Sequence, residues 1–96
     1  MIQLSEVRRQ REAILRLAAT YGIQRVRLFG SVAREQSSAD SDLDVLVKFE
    51  RGRSLLDLIG FEQDLEELLG CRVDVVSEGG ISPYLEADIL REAVPL

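Results

Sequence analysis

Asp42 and Asp44 are separated by a single residue, and Asp74 stands further along the chain between Val73 and Val75. On an extended backbone a spacing of two puts both carboxylates on one face, with Leu43 and Val45 on the other. Asp74 projects opposite its apolar neighbours in the same way. If the two segments are close in one sheet, the three carboxylates converge. Three bare anions at such range repel one another, and at least one retains a proton. A hard divalent cation removes that conflict. Oxygen-only ligands that leave coordination sites open suit Mg²⁺ or Mn²⁺ better than zinc. Carboxylate-held metal ions are one solution to in-line displacement at phosphorus, activating the attacking hydroxyl and neutralising the leaving oxygens.

Gly30-Ser31 supplies the complementary part. A short β-like run, Arg25 to Phe29, stops at Gly30 and enters a polar stretch that begins with a helical turn. Such a junction presents free backbone N–H groups to an anion such as a triphosphate oxygen. Glycine permits close approach, and the serine hydroxyl can donate a hydrogen bond. A lone Asp-x-Asp is usually solvated or capping, and a lone Gly-Ser is weaker still. The joint pattern is more specific: strand, Gly-Ser, a polar ten-residue spacer, Asp-x-Asp leading a strand, then an aspartate in a third strand.

Composition narrows the chemistry. There is no histidine, which removes Ser-His-Asp and Cys-His catalysis and the usual zinc sites. The one cysteine, Cys71, excludes an internal disulfide and reads as a small residue at the edge of the core. A net charge of −5 argues against gripping a nucleic-acid backbone. Arg8, Arg9 and Arg11 read as a solvated helix face. No apolar run is long enough for a bilayer, and MIQLSEVRRQRE lacks a secretory apolar region, so a cytoplasmic protein is expected.

The elements that must position these residues follow from periodicity. Leu4, Val7, Ile14, Leu17, Ala18 and Tyr21 predict one helix from about 4 to 21, ended by Gly22. Strands are expected over 25–29, 43–49 and 72–76. Ser54 and Asp57 form a capping-box pattern opening a helix with a stripe of Leu55, Leu58, Ile59, Leu65, Leu68 and Leu69, closed by Gly70. A last helix begins near Ser82-Pro83, with Tyr84, Leu85, Ile89, Leu90 and Ala93 as its inner face. The whole of 1–96 then forms a single α/β (α+β) domain, a small mixed sheet backed by helices.

At these residues the chain resembles the minimal nucleotidyltransferase family of the DNA polymerase β-like superfamily. The resemblance is carried by LFGSVAREQSSADSDLDVLV at 28–47, which fits the family's Gly-Ser, ten residues, Asp-x-Asp pattern without a gap. It extends through GRSLLDL, LEELLGCRVDVV and SPYLEADILREAVPL, nearly the whole chain. One departure is Glu35-Gln36, where many members carry Gly-Glu. The resemblance implies the polymerase β-like fold, with Gly30 and Ser31 holding the β- and γ-phosphates of ATP. It also implies that Asp42 and Asp44 ligate Mg²⁺, and that Asp74 ligates the catalytic ion and helps deprotonate the acceptor. Arg34 would reach the triphosphate, although a surface arginine is the commoner reading of such a residue.

One domain's worth of chain leaves no room for an appended acceptor-binding domain, so the acceptor is expected to come from outside. The resemblance implies a HEPN-type toxin as partner, with AMP moved from ATP to a tyrosine of that toxin by its antitoxin. Two alternatives stay open: an antitoxin or nucleotide sensor that acts by binding alone, and transfer to a small molecule of the aminoglycoside type. Tyr84, Leu85 and Leu96 are candidates for a partner-facing surface, with core packing the alternative for the first two.

Overall fold

Four strands make one sheet in the order β3-β2-β1-β4, seen in a computed structural model that describes residues 2–96. β1 (Ile23–Phe29) pairs antiparallel with β2 (Leu43–Phe49), and β2 pairs parallel with β3 (Val73–Ser77). The parallel pair needs a crossover connection, and here it contains the helix α4 (Leu55–Leu69). α1 (Leu4–Arg9) and α2 (Arg11–Thr20) precede β1, α3 (Gly30–Ala33) follows it, and α5 (Pro83–Glu92) leads to β4 (Val94–Pro95).

Side-chain alternation divides the sheet into two faces. Val26, Leu28, Leu43, Val45, Val47, Val73 and Val75 join Val7, Ile14, Ala18, Phe61 and Leu65 in the main apolar core. Arg27, Phe29, Asp44, Leu46 and Asp74 occupy the alternate positions on the other face. Phe29 and Leu46 are buried yet stand outside the main cluster, so this second face is partly covered in its own right. The predicted aspartates therefore lie across the sheet from the core that fixes the strands.

Several expectations hold in detail. Ser54 Oγ accepts the Leu56 N–H at 3.2 Å while Asp57 Oδ2 accepts the Ser54 N–H at 2.9 Å, so the capping box is real. Gly70 closes α4 in the left-handed conformation. Arg8, Arg9 and Arg11 are exposed.

Others are corrected. The first helix is two: Gln10 leaves helical geometry (φ −98°, ψ 18°), and its N–H bonds to Val7 O at 3.0 Å in a tight turn. The core-facing stripe of α4 is buried Phe61 and Leu65 with partly buried Leu58 and Leu69, whereas Leu55, Ile59 and Leu68 are exposed. No residue of α5 is buried, and Tyr84 and Leu85 are 93% and 55% exposed. Of the expected inner face, Tyr84, Leu85 and Leu90 are exposed and Ile89 and Ala93 only partly covered, because periodicity marks an apolar stripe without saying which layer meets it. β4 was not foreseen: two residues are too few to show alternation, and only their pairing with Arg27 and Leu28 makes them a strand.

Candidate active site

The strand register does what sequence spacing could only anticipate. Asp44 lies opposite Phe29 on β1 and opposite Asp74 on β3. Asp44 is therefore central, with Gly30 following its partner on one side and Asp74 on the other. β3 is an edge strand, yet its outward amides are not bare. Glu66 Oε2 accepts the Val73 N–H and Glu62 Oε2 the Val75 N–H, each at 3.0 Å. These two α4 carboxylates, one helical turn apart, pin the residues on both sides of Asp74.

Gly30 has φ +76°, and a Cβ built on it would stand 2.1 Å from Asp44 Oδ2. Only glycine meets both demands, the left-handed backbone and direct contact with the carboxylate. The turn it opens is held by buried Val32 and by a Schellman closure. Gln36 N–H bonds to Ser31 O at 2.8 Å and Glu35 N–H to Val32 O at 3.0 Å. Such a closure needs a left-handed residue, and here it is Glu35, at φ 58°. Glycine would take this position freely, and glutamate bears a steric cost there.

Ser31 Oγ donates to Ser41 Oγ at 3.1 Å, and Ser41 Oγ also accepts the Ser38 N–H at 2.9 Å. The Gly30 turn is thereby fastened to the loop that delivers Asp42. Asp42 itself leans outward: its Oδ1 is 3.1 Å from Arg72 Nε, without hydrogen-bond geometry, and is buried with no hydrogen-bond partner. Arg34 is also engaged, its Nη1 2.9 Å from Glu92 Oε1 at the end of α5.

Electrostatics expose the strain of the cluster. Burial, then the neighbouring charges of Asp74 and Asp42, raise the Asp44 carboxyl from 3.8 to about 6; Arg34 opposes the shift and Glu92 adds to it. Among the described residues, no three acidic or cysteine side chains stand close enough in these rotamers to enclose a cation. The donor set nevertheless fits one. Asp44 holds a carboxylate at a cost, and Asp42 has an unsatisfied buried oxygen. All the candidate donors are hard oxygens.

The structure thus brings Gly30, Asp44 and Asp74 together directly, with Ser31 on the adjoining turn. Asp42 and Arg34 lie within electrostatic reach of Asp44 but are turned to other partners. Sequence reasoning missed Ser41, Glu62, Glu66 and Glu92. Ser41 adjoins the Asp-x-Asp motif and Glu62 and Glu66 share a helix spacing, but nothing local marks Glu92.

The nucleotidyltransferase domain family matches residues 7–96. A provisionally named protein adenylyltransferase of Methanocaldococcus jannaschii is 41% identical over 93 residues, covering 97% of each chain. The protein adenylyltransferase MntA of Thermococcus cleftensis is 41% identical over 78 residues, 81% of this chain and 79% of that one. A solved structure described provisionally as a minimal nucleotidyltransferase superposes with TM-score 0.88 at 55% identity, covering 99% of this chain and 97% of the other. A Shewanella oneidensis complex of a tri-AMPylated HEPN toxin with its MNT antitoxin shares the fold at TM-score 0.70 and 20% identity, over 92% of this chain and 69% of that one. This chain therefore belongs to the nucleotidyltransferase domain family, among minimal members whose relatives carry the name protein adenylyltransferase.

Proposed function

We propose that this chain is an antitoxin-type protein adenylyltransferase that moves AMP from ATP to a tyrosine hydroxyl of a HEPN-type toxin partner. The observation that carries the reading is the row Phe29–Asp44–Asp74 with Gly30 pressed against Asp44. It sets the Gly30 turn beside two facing carboxylates on the side of the sheet away from the core. The Shewanella oneidensis complex, a toxin bearing AMP beside an antitoxin of this fold, supports the choice of acceptor. A further toxin–antitoxin structure of the fold, described with AMP-PNP, supports ATP as the donor.

In this reading the Gly30 and Ser31 N–H groups and the Ser31 hydroxyl hold the β- and γ-phosphates. Asp42, Asp44 and Asp74 would hold Mg²⁺, which would polarise the phosphates and lower the pKa of the acceptor hydroxyl. Asp74, on the exposed edge strand, faces an acceptor arriving from solvent and takes its proton. The tyrosine oxygen then bonds to the α-phosphorus as the bond to the bridging oxygen breaks, and pyrophosphate leaves. Asp42 must swing from Arg72 to join the ligand set, a rotation its half-exposed position allows. The whole described chain acts as one catalytic domain, and the acceptor is delivered by its own protein.

The test is incubation with Mg-ATP and a candidate HEPN-type partner protein, followed by intact-mass measurement. An AMP-sized gain on a partner tyrosine, lost in Asp44→Ala, is the expected result. Full neutralisation of the partner by Asp42→Ala/Asp44→Ala without any mass gain would replace transfer with simple binding. Nucleotide turnover on an aminoglycoside with no partner present would move the acceptor to a small molecule.

A further inference from the structure

Arg34 lies at the end of the phosphate turn, but its guanidinium is already occupied. Nη1 is 2.9 Å from Glu92 Oε1, and Nε donates to Gln36 Oε1 at 3.3 Å. Glu92 does not reach this place by a loose surface contact. It is the last residue of α5, and two residues on, Val94 begins β4, which pairs with Leu28 and Arg27 on the strand that ends at Gly30. Backbone pairing to the central strand therefore delivers a carboxylate to the rim of the phosphate site. Both charges are felt at Asp44, with opposite sign.

A carboxylate fixed beside a polyphosphate site is unfavourable unless it has a task. We propose that Glu92 gates nucleotide affinity: it holds Arg34 in the free protein, and the β- and γ-phosphates must displace it to gain that arginine. The proposal rests on the reading of Gly30, Ser31 and Arg34 as the triphosphate site. A triphosphate offers several charged oxygens to a planar guanidinium and outcompetes one exposed carboxylate. A nucleoside monophosphate lacks the β- and γ-phosphates, cannot reach Arg34 and leaves the pair closed. Glu92 thus lowers affinity for the triphosphate and leaves the monophosphate untouched, so the competition tempers binding of the donor nucleotide.

The experiment is calorimetric titration of wild type, Glu92→Gln, Arg34→Ala and the double variant with Mg-ATP, and of wild type and Glu92→Gln with AMP. An exposed ion pair of this kind is weak, so Glu92→Gln should bind Mg-ATP about threefold more tightly. Arg34→Ala should bind it about tenfold more weakly, having lost a charge-assisted contact. The double variant should match Arg34→Ala, and AMP affinity should be the same in wild type and Glu92→Gln. Unchanged Mg-ATP affinity in Glu92→Gln would overturn the proposal. So would a gain that persists without Arg34, since Glu92 would then act only as a general negative charge. If none of the four proteins binds Mg-ATP, the nucleotide reading falls, and the gate with it.

Discussion

Replacing Asp44 by asparagine should stabilise the metal-free protein while abolishing transfer. The carboxyl titrates at about 6 rather than 3.8, chiefly because it is half-buried and faces Asp74 and Asp42. Between those values the folded chain holds a proton that the unfolded chain has released. The unfolded state thus binds fewer protons, and stability falls as pH rises through that window, then stays low above it. A shift of about two units has a ceiling of about 3 kcal/mol. Solvent screening at a half-exposed group reduces this to about 1 kcal/mol. For a domain of this length that corresponds to about 5 °C in Tm. Thermal unfolding in a chelator at about pH 8 should therefore show Asp44→Asn melting higher than wild type, with the gap closing by about pH 4. Added Mg²⁺ should raise the wild-type Tm and leave the variant unmoved. A variant that melts lower than wild type at about pH 8, or a gap that does not change with pH, would refute the account of a carboxylate held at a cost.

Glu35→Gly should raise stability by about 1 kcal/mol in chemical denaturation, because glycine takes the left-handed position of the Schellman closure without a Cβ penalty. Gly30→Ala should cost roughly 2 kcal/mol and eliminate transfer in the mass assay, since its methyl would occupy the place of Asp44 Oδ2. Glu62→Ala and Glu66→Ala should each lose about 1–2 kcal/mol by leaving a β3 amide unpaired. Hydrogen exchange at Val73 and Val75 should accelerate in those two variants, and unchanged protection would show that the carboxylates do not secure the edge.

The chain's own order of residues determined the three long strands and the capped α4, because alternation, capping and glycine stops are encoded within a few neighbours. It determined the candidate chemistry too: with no histidine, closely spaced aspartates after Gly-Ser leave carboxylate and hard-cation chemistry as the coherent choice. The apolar residues of α5 were equally visible, but their destination was not, since a stripe records amphipathicity and not the layer opposite. Only the tertiary structure decided that Asp44 would face Asp74, because that depends on the parallel register set by the α4 crossover. The same holds for Glu92, brought to Arg34 by the pairing of a two-residue strand, and for the Glu62 and Glu66 bonds to β3. Those contacts join residues distant in the chain, and their energies exist only once the sheet has closed.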